Sequence, residues 1–243
     1  MFRCALIVPV AMVLLPLSSI AHEEPAAEED TGPWSGSVSF GYLATSGNTE
    51  NSNLNGNFSV GYVSGKWDHL LTGYAINASE GNVRTAESYG SGWKSEYNMS
   101  ELNFLYGRLS YRKDRFSGFP TQFSQTIGYG RRFISTEAHT LSAEAGFGAR
   151  QSERADGVDE NDFIVNAAMN YKWQFSETAN FTQDFLLEYG ENNTFLASVS
   201  SVTAQLIGQL ALVASYTIKT NSDVPAGSEK TDTYSAINLE YAF

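Results

Sequence analysis

The sequence predicts an all-β chain folded as an antiparallel up-and-down barrel of about twelve strands, of the kind that spans a membrane. Three observations predict it. From Pro33 to the end, apolar residues recur at every second position in segments of roughly 10 to 15 residues, the period of a strand and not of a helix. Short turns alternate with longer polar loops. The chain closes on "SAINLEYAF", with Ile237, Leu239, Tyr241 and Phe243 on one face.

Residues 1–21 read as an export signal. Arg3 supplies a positive start, "CALIVPVAMVLLPLSSI" is an apolar segment too short for a lasting helical span, and Ser19 and Ala21 place small residues before a cleavage point. Cys4 precedes the apolar segment instead of closing it, so lipidation is not expected. It is also the single cysteine, so the mature chain is expected to have no disulfide and no thiolate nucleophile or ligand. With Arg3 removed, 14 basic residues stand against 27 acidic ones, which argues against nucleic acid as a partner. Residues 22–33, "HEEPAAEEDTGP", are acidic and nearly free of large apolar side chains, and are expected to be a disordered leader.

Residues 34–243 are the barrel. Strands are expected near 34–46, 51–64, 66–78, 87–98, 101–113, 119–134, 139–152, 162–176, 179–190, 195–207, 209–220 and 231–243. The pattern is cleanest in "NDFIVNAAMNYKWQFS", where Phe163, Val165, Ala167, Met169, Tyr171, Trp173 and Phe175 oppose Asn166, Asn170, Lys172 and Gln174. The third and tenth segments alternate too poorly for their faces to be assigned. "LATSGNTEN" reads as the first outer hairpin, because Gly47 and Asn48 tolerate positive φ and a strand, not a helix, follows. "ASEGNVRTAE", "KDRFSGFPT", "ERADGVDEN", "YGENNT" and "NSDVPAGSEK" read as the other long loops, which puts both termini on the short-turn side.

Soluble sandwiches and lipocalin-like barrels also show period two, but they concentrate aromatic residues at mid-strand, where one face is a core. Here Trp34, Tyr62, Trp67, Tyr97, Tyr111, Phe133, Trp173, Phe175, Tyr189 and Tyr241 stand near segment ends, as in the girdles of a membrane barrel. The terminal aromatic after alternating apolar residues resembles the signal read by the barrel-assembly machinery of Gram-negative outer membranes. That resemblance implies an outer-membrane location, with outer-membrane lipid and lipopolysaccharide as surroundings.

Catalytic constellations are weak. His139 and Ser142 lie three apart and so face opposite ways on a strand, and Asp68 and His69 are split in the same manner. Asp156, Asp159, Glu160 and Asp162 gather in one loop but lack the spacing of a calcium loop. Neither a catalytic residue, a cofactor nor a metal ligand is expected. On the assigned inward faces stand Lys94, Glu96, Arg108, Arg112, Glu144, Arg150, Lys172, Asp184, Glu188, Lys219 and Glu240, both signs in similar numbers. Such charges either tune which ions pass or pair across strands and fill the lumen.

"WSGSVSFGYLATSGNTENSNL", Trp67 with Leu71, and the closing "KTDTYSAINLEYAF" resemble the outer-membrane family called salt-induced outer-membrane proteins. The resemblance spans nearly all of the mature chain, with Thr45 to Thr49 and Lys230 to Asp232 as its most specific pieces. It implies an outer-membrane barrel linked to salt or acid stress and brings no catalytic residues. The expected role is therefore a narrow pore or envelope-integrity protein, monomeric and without enzymatic activity. The alternatives are an enzyme acting on lipid or lipopolysaccharide, or a binding protein using its outer loops.

Overall fold

The structure is a computed structural model that describes residues 32–45, 51–80 and 83–243. The export signal and almost all of the leader lie outside the described residues, as does 46–50, the centre of the first outer hairpin.

Twelve strands form one closed antiparallel barrel in which each strand neighbours the next in sequence and β1 meets β12. They are β1 Trp34–Thr45, β2 Asn51–Ser64, β3 Trp67–Glu80, β4 Val83–Asn98, β5 Asn103–Asp114, β6 Thr121–Ser135, β7 His139–Glu153, β8 Asp159–Ser176, β9 Ala179–Gly190, β10 Thr194–Ile207, β11 Leu210–Asn221 and β12 Thr231–Ala242. At one end the connections are short: 65–66, 99–102, 136–138, 177–178 and 208–209. Gly65 and Gly208 adopt φ of 60° and 54°, the left-handed conformation that a two-residue hairpin needs. At the other end the longest connections are 115–120 and 222–230.

Three loops expected to be long are not, and one is "YGENNT", where β9 ends at Gly190 and β10 starts at Thr194. β3 runs to Glu80 and β4 starts at Val83, so most of "ASEGNVRTAE" is paired strand. β8 starts at Asp159, which moves Asp159, Glu160 and Asp162 out of the supposed acidic loop and into the wall. Polar residues continue a ladder as well as apolar ones once both neighbours are in register, because the backbone supplies the bonds.

Alternation sorts the side chains in the sense opposite to a soluble protein. On β8, Asp162, Ile164 and Asn166 point inward and are buried, whereas Phe163 and Val165 point outward and are 69% and 52% exposed. Arg150, Glu144 and Glu188 are buried too, while large apolar residues of every strand stand exposed. A protein surrounded by water does the reverse. The outward aromatic residues cluster at the short-turn end: Trp34 lies 4.5 Å from Tyr62, Trp67 5.0 Å from Tyr97, and Trp173 5.5 Å from Phe175, centroid to centroid.

Among the described residues, no charged side chain lies on the outward face between the level of Arg131 and that of Lys113. Arg131 pairs with Asn103, at one end of β5, and Lys113 lies near its other end. Ten residues of strand at about 3.3 Å each, leaning roughly 40°, rise about 25 Å.

Candidate functional site

The candidate site is the lumen, and its two sides differ. On the side of β5 to β9 it is filled. Phe104 and Tyr106 point inward from β5 and lie against Gly130, Gly128 and Gly146 of β6 and β7; a Cβ on Gly130 would meet the Phe104 ring, and one on Gly146 the Tyr106 hydroxyl. These glycines leave the wall flat enough for the rings to lie down on it. Asn166 Nδ2 then donates to Tyr106 Oη at 2.7 Å, holding the ring from β8.

Two ion networks complete this packed side. Toward the short-turn end, Glu144 is the shared acceptor. Lys94 Nζ and Arg108 Nη2 both donate to it, Arg108 at 2.6 Å, and Lys94 also lies 2.7 Å from Glu96. Arg132 bonds Glu96 at 2.9 Å, sits 3.6 Å from Asp68 and stacks 4.6 Å over the Phe104 ring. Toward the long-loop end, Glu188 is the acceptor. Arg112 reaches from β5 past three strands to bond it at 2.7 Å, Ser124 donates at 2.9 Å, and Arg150 lies 3.7 Å away. Arg150 also bonds Asp162 at 3.0 Å and donates to the Asn193 carbonyl, so its buried guanidinium meets two carboxylates. Charges this buried persist only when paired, and each has an opposite charge here, although the Nε of Arg112 and of Arg150 has no hydrogen-bond partner among the described residues.

All eleven residues expected to carry lumen charge point inward, and the structure divides them. Lys94, Glu96, Arg108, Arg112, Glu144, Arg150 and Glu188 belong to the two networks. Lys172 faces the cavity against β6 to β9, Lys219 and Glu240 face the one on the other side, and Asp184 borders both. Three network members were missed by sequence reasoning. Asp162 is in the wall and not in a loop, Asp68 lies in the strand whose alternation is broken, and Arg132 stands beside outward Arg131 just before a bulge. The acidic quartet of residues 156–162 does not converge on a cation. Asp162 is paired with Arg150, whereas Asp156 and Glu160 are paired with Arg154.

The open side is bounded by β1 to β4 and β9 to β12. Cavities of about 420 and 560 Å³ lie along it and share lining residues, and a third of about 370 Å³ lies against β6 to β9 at the short-turn end, on the otherwise packed side. Asp184 borders all three. It accepts a hydrogen bond from Asn170 at 2.7 Å, and among the described residues no cation lies within ion-pair distance of it. Farther up, Lys219 donates to Tyr74 Oη at 3.1 Å, and Glu240 accepts from Ser37 at 3.3 Å. The lining also takes in Lys94, Arg108 and Arg112 of the two networks, with small polar residues such as Ser39, Asn57 and Thr72 between them.

At the long-loop end, the connection 222–230 is lashed to its neighbours. Arg154 bonds Asp223 at 3.2 Å, Asp223 N donates to Asn193 Oδ1, and Tyr234 Oη donates to Asp114, on the opposite wall, at 3.2 Å. Hydrogen bonds from Arg154 hold the Asp156 carboxyl below the ordinary carboxylate range. Among the described residues, neither histidine takes part in the lumen ion networks. His69 and His139 point outward and stack on Trp67 and Trp173, with His139 Nδ1 2.9 Å from the Tyr171 hydroxyl.

A protein of Escherichia coli strain K12 described as "Uncharacterized protein YdiY" is 30% identical over 221 residues, which cover 90% of this chain and 86% of that one. Among solved structures, the barrel is similar to an outer membrane channel from Pseudomonas putida F1, with a TM-score of 0.54, 8% identity, and 91% and 100% of the two chains covered. It is also similar to the translocator domain of the autotransporter NalP from Neisseria meningitidis, with a TM-score of 0.48, 12% identity, and 89% and 90% covered. At such identities the likeness to the channel is one of fold. The family described as "Protein of unknown function, DUF481" matches residues 38–243, and the chain belongs to that family.

Proposed function

We propose that the protein is a narrow pore of the outer membrane, without enzymatic activity, that passes small ions or solutes along the open side of its lumen. The observation that carries this is the set of three cavities, each bordered by Asp184, that leave the lumen open beside the two ion networks. The placement in a membrane rests on the outward belt, free of charge for about 25 Å, which is the height of the apolar band in outer-membrane barrels. With the short-turn end toward the periplasm, the loops lashed around Asp223 face outside.

Heat-modifiable mobility checks the barrel. The refolded protein should migrate differently boiled and unboiled, and identical mobility would remove the membrane-barrel reading. Conductance in a planar bilayer checks the pore. Small stepwise openings are expected, and Asp184, which borders all three cavities, should favour cations against the lysine and arginine side chains that also line them. Asp184→Asn should reduce that preference while leaving unfolding stability within about 0.5 kcal/mol, the range of substitutions outside packed features. Absence of openings in every salt would sink the pore and return the alternatives, a lipid-directed enzyme or a loop-based binder. A role under salt or acid stress rests on the family resemblance alone; unchanged growth of a deletion strain at high salt would count against it.

A further inference from the structure

The junction of first and last strands differs from every other in the barrel. β1 and β12 pair through four positions, Ser37↔Ala242 to Phe40↔Leu239, and the terminal Phe243 adds two backbone bonds to Gly36. All of this lies in the short-turn half. In the long-loop half, β1 from Gly41 to Thr45 stays fully paired with β2, and β12 from Thr231 to Asn238 stays fully paired with β11. No ladder joins those two stretches to each other.

Unpaired strand edges in hydrocarbon leave N–H and C=O groups without partners, which membrane barrels otherwise avoid by closing completely. The outward side chains beside this seam are also unlike the rest of the belt, since Thr231, Thr233 and Ser235 are exposed hydroxyls.

Behind the seam lies the cavity of about 560 Å³. At the level where pairing stops, Asn55 and Asn238 are 8% and 3% exposed, and the Oδ1 of each has no hydrogen-bond partner among the described residues. A Cβ on Gly41 would meet Asn238 Oδ1 and come within 3.0 Å of Asn55 Oδ1, so the two free acceptors converge over that glycine. Buried acceptors left empty cost free energy, and they are filled by a ligand that brings donors. Amide oxygens, serine hydroxyls and the Tyr74 ring, with Lys219 bonded to Tyr74 and Glu240 to Ser37, suit a hydroxyl-rich, uncharged group.

We propose that the long-loop half of the β1–β12 seam is a lateral portal, through which the hydroxyl-bearing head of a neutral amphiphile enters the lumen while its alkyl chain stays in the membrane. The proposal rests on the reading of the barrel as a membrane protein and is independent of ion conduction.

The test uses the protein refolded into phosphatidylcholine vesicles, with photoreactive dodecyl maltoside as probe and maltose and dodecylphosphocholine, equally photoreactive, as comparisons. Tyr42→Cys with Ile237→Cys bridges the portal, and Val38→Cys with Tyr241→Cys bridges the closed half, by oxidation or by a short bismaleimide. Dodecyl maltoside should label the lumen-facing residues of β1, β2 and β12. Bridging the portal should abolish that labelling, breaking the oxidised bridge with a reductant should restore it, and bridging the closed half should leave it unchanged. Labelling that persists through the portal bridge, equal labelling by maltose or by dodecylphosphocholine, or no lumen labelling at all overturns the proposal. Conductance of the unbridged protein separates the two readings. In the unbridged protein, lumen labelling without openings fails the pore alone, and openings without lumen labelling fail the portal alone.

Discussion

Glu188→Ala should cost about 3–5 kcal/mol of unfolding stability, the cost of stripping a buried charge of its partner. Glu188 accepts from Arg112 and Ser124 and neighbours Arg150, and its side chain is almost wholly buried. Its removal strands the Arg112 guanidinium in a place water reaches poorly and takes one of two carboxylates from Arg150. Arg150 keeps Asp162, but Arg112 is left with the Phe195 ring, 4.0 Å from its guanidinium. Urea titration of the barrel in phospholipid vesicles, followed by tryptophan fluorescence, measures the loss. A change below about 1 kcal/mol would mean that the network contributes no more than a surface pair. Replacing Glu188 and Arg112 together by apolar residues of similar size, with Arg150 left on Asp162, should restore most of the stability, because the desolvation cost of that pair disappears with it.

Gly146→Val should destabilise by about 3 kcal/mol, combining the cost of overpacking with a lost hydrogen bond. Its added carbons would run into the Ile127 carbonyl, which belongs to the wall and cannot swing away, and into the Tyr106 hydroxyl. Lifting the Tyr106 ring breaks its bond to Asn166. Gly107 is the matched control. It faces outward with nothing within 4 Å of an added Cβ, and Gly107→Ala should change stability by less than about 0.5 kcal/mol. Equal effects at the two positions would show that strand glycines matter here only through backbone entropy and not through the rings they seat.

Period two made the strands legible, because a wall with two different solvents on its faces must alternate. The eleven lumen charges followed from the same rule. Loop lengths did not follow, since the strand tips of "ASEGNVRTAE" are polar on both faces yet stay in register with a neighbour. The division of the lumen into a packed and an open side was also out of reach. It depends on which strands face each other across the interior, as when Arg112 of β5 meets Glu188 of β9. One signal was present all the same. Gly128, Gly130, Gly146 and Gly148 fall on inward positions of β6 and β7, next to the strand whose inward positions hold Phe104 and Tyr106. Small residues on one strand facing large ones on its neighbour mark a packed wall, and that pattern is written in the residues themselves. The missing ladder at the seam had no counterpart in the pattern, because β1 and β12 alternate as regularly as the strands that pair in full.

That seam also sets how the barrel comes to exist. Eleven of the twelve junctions join strands that are consecutive in the chain, so each can zip from its own hairpin with little loop to close. One junction joins the two ends, and it is the shortest ladder of all. Assembly therefore reduces to a curling sheet of local contacts followed by a single late ring closure, and the barrier to that closure should govern the folding rate.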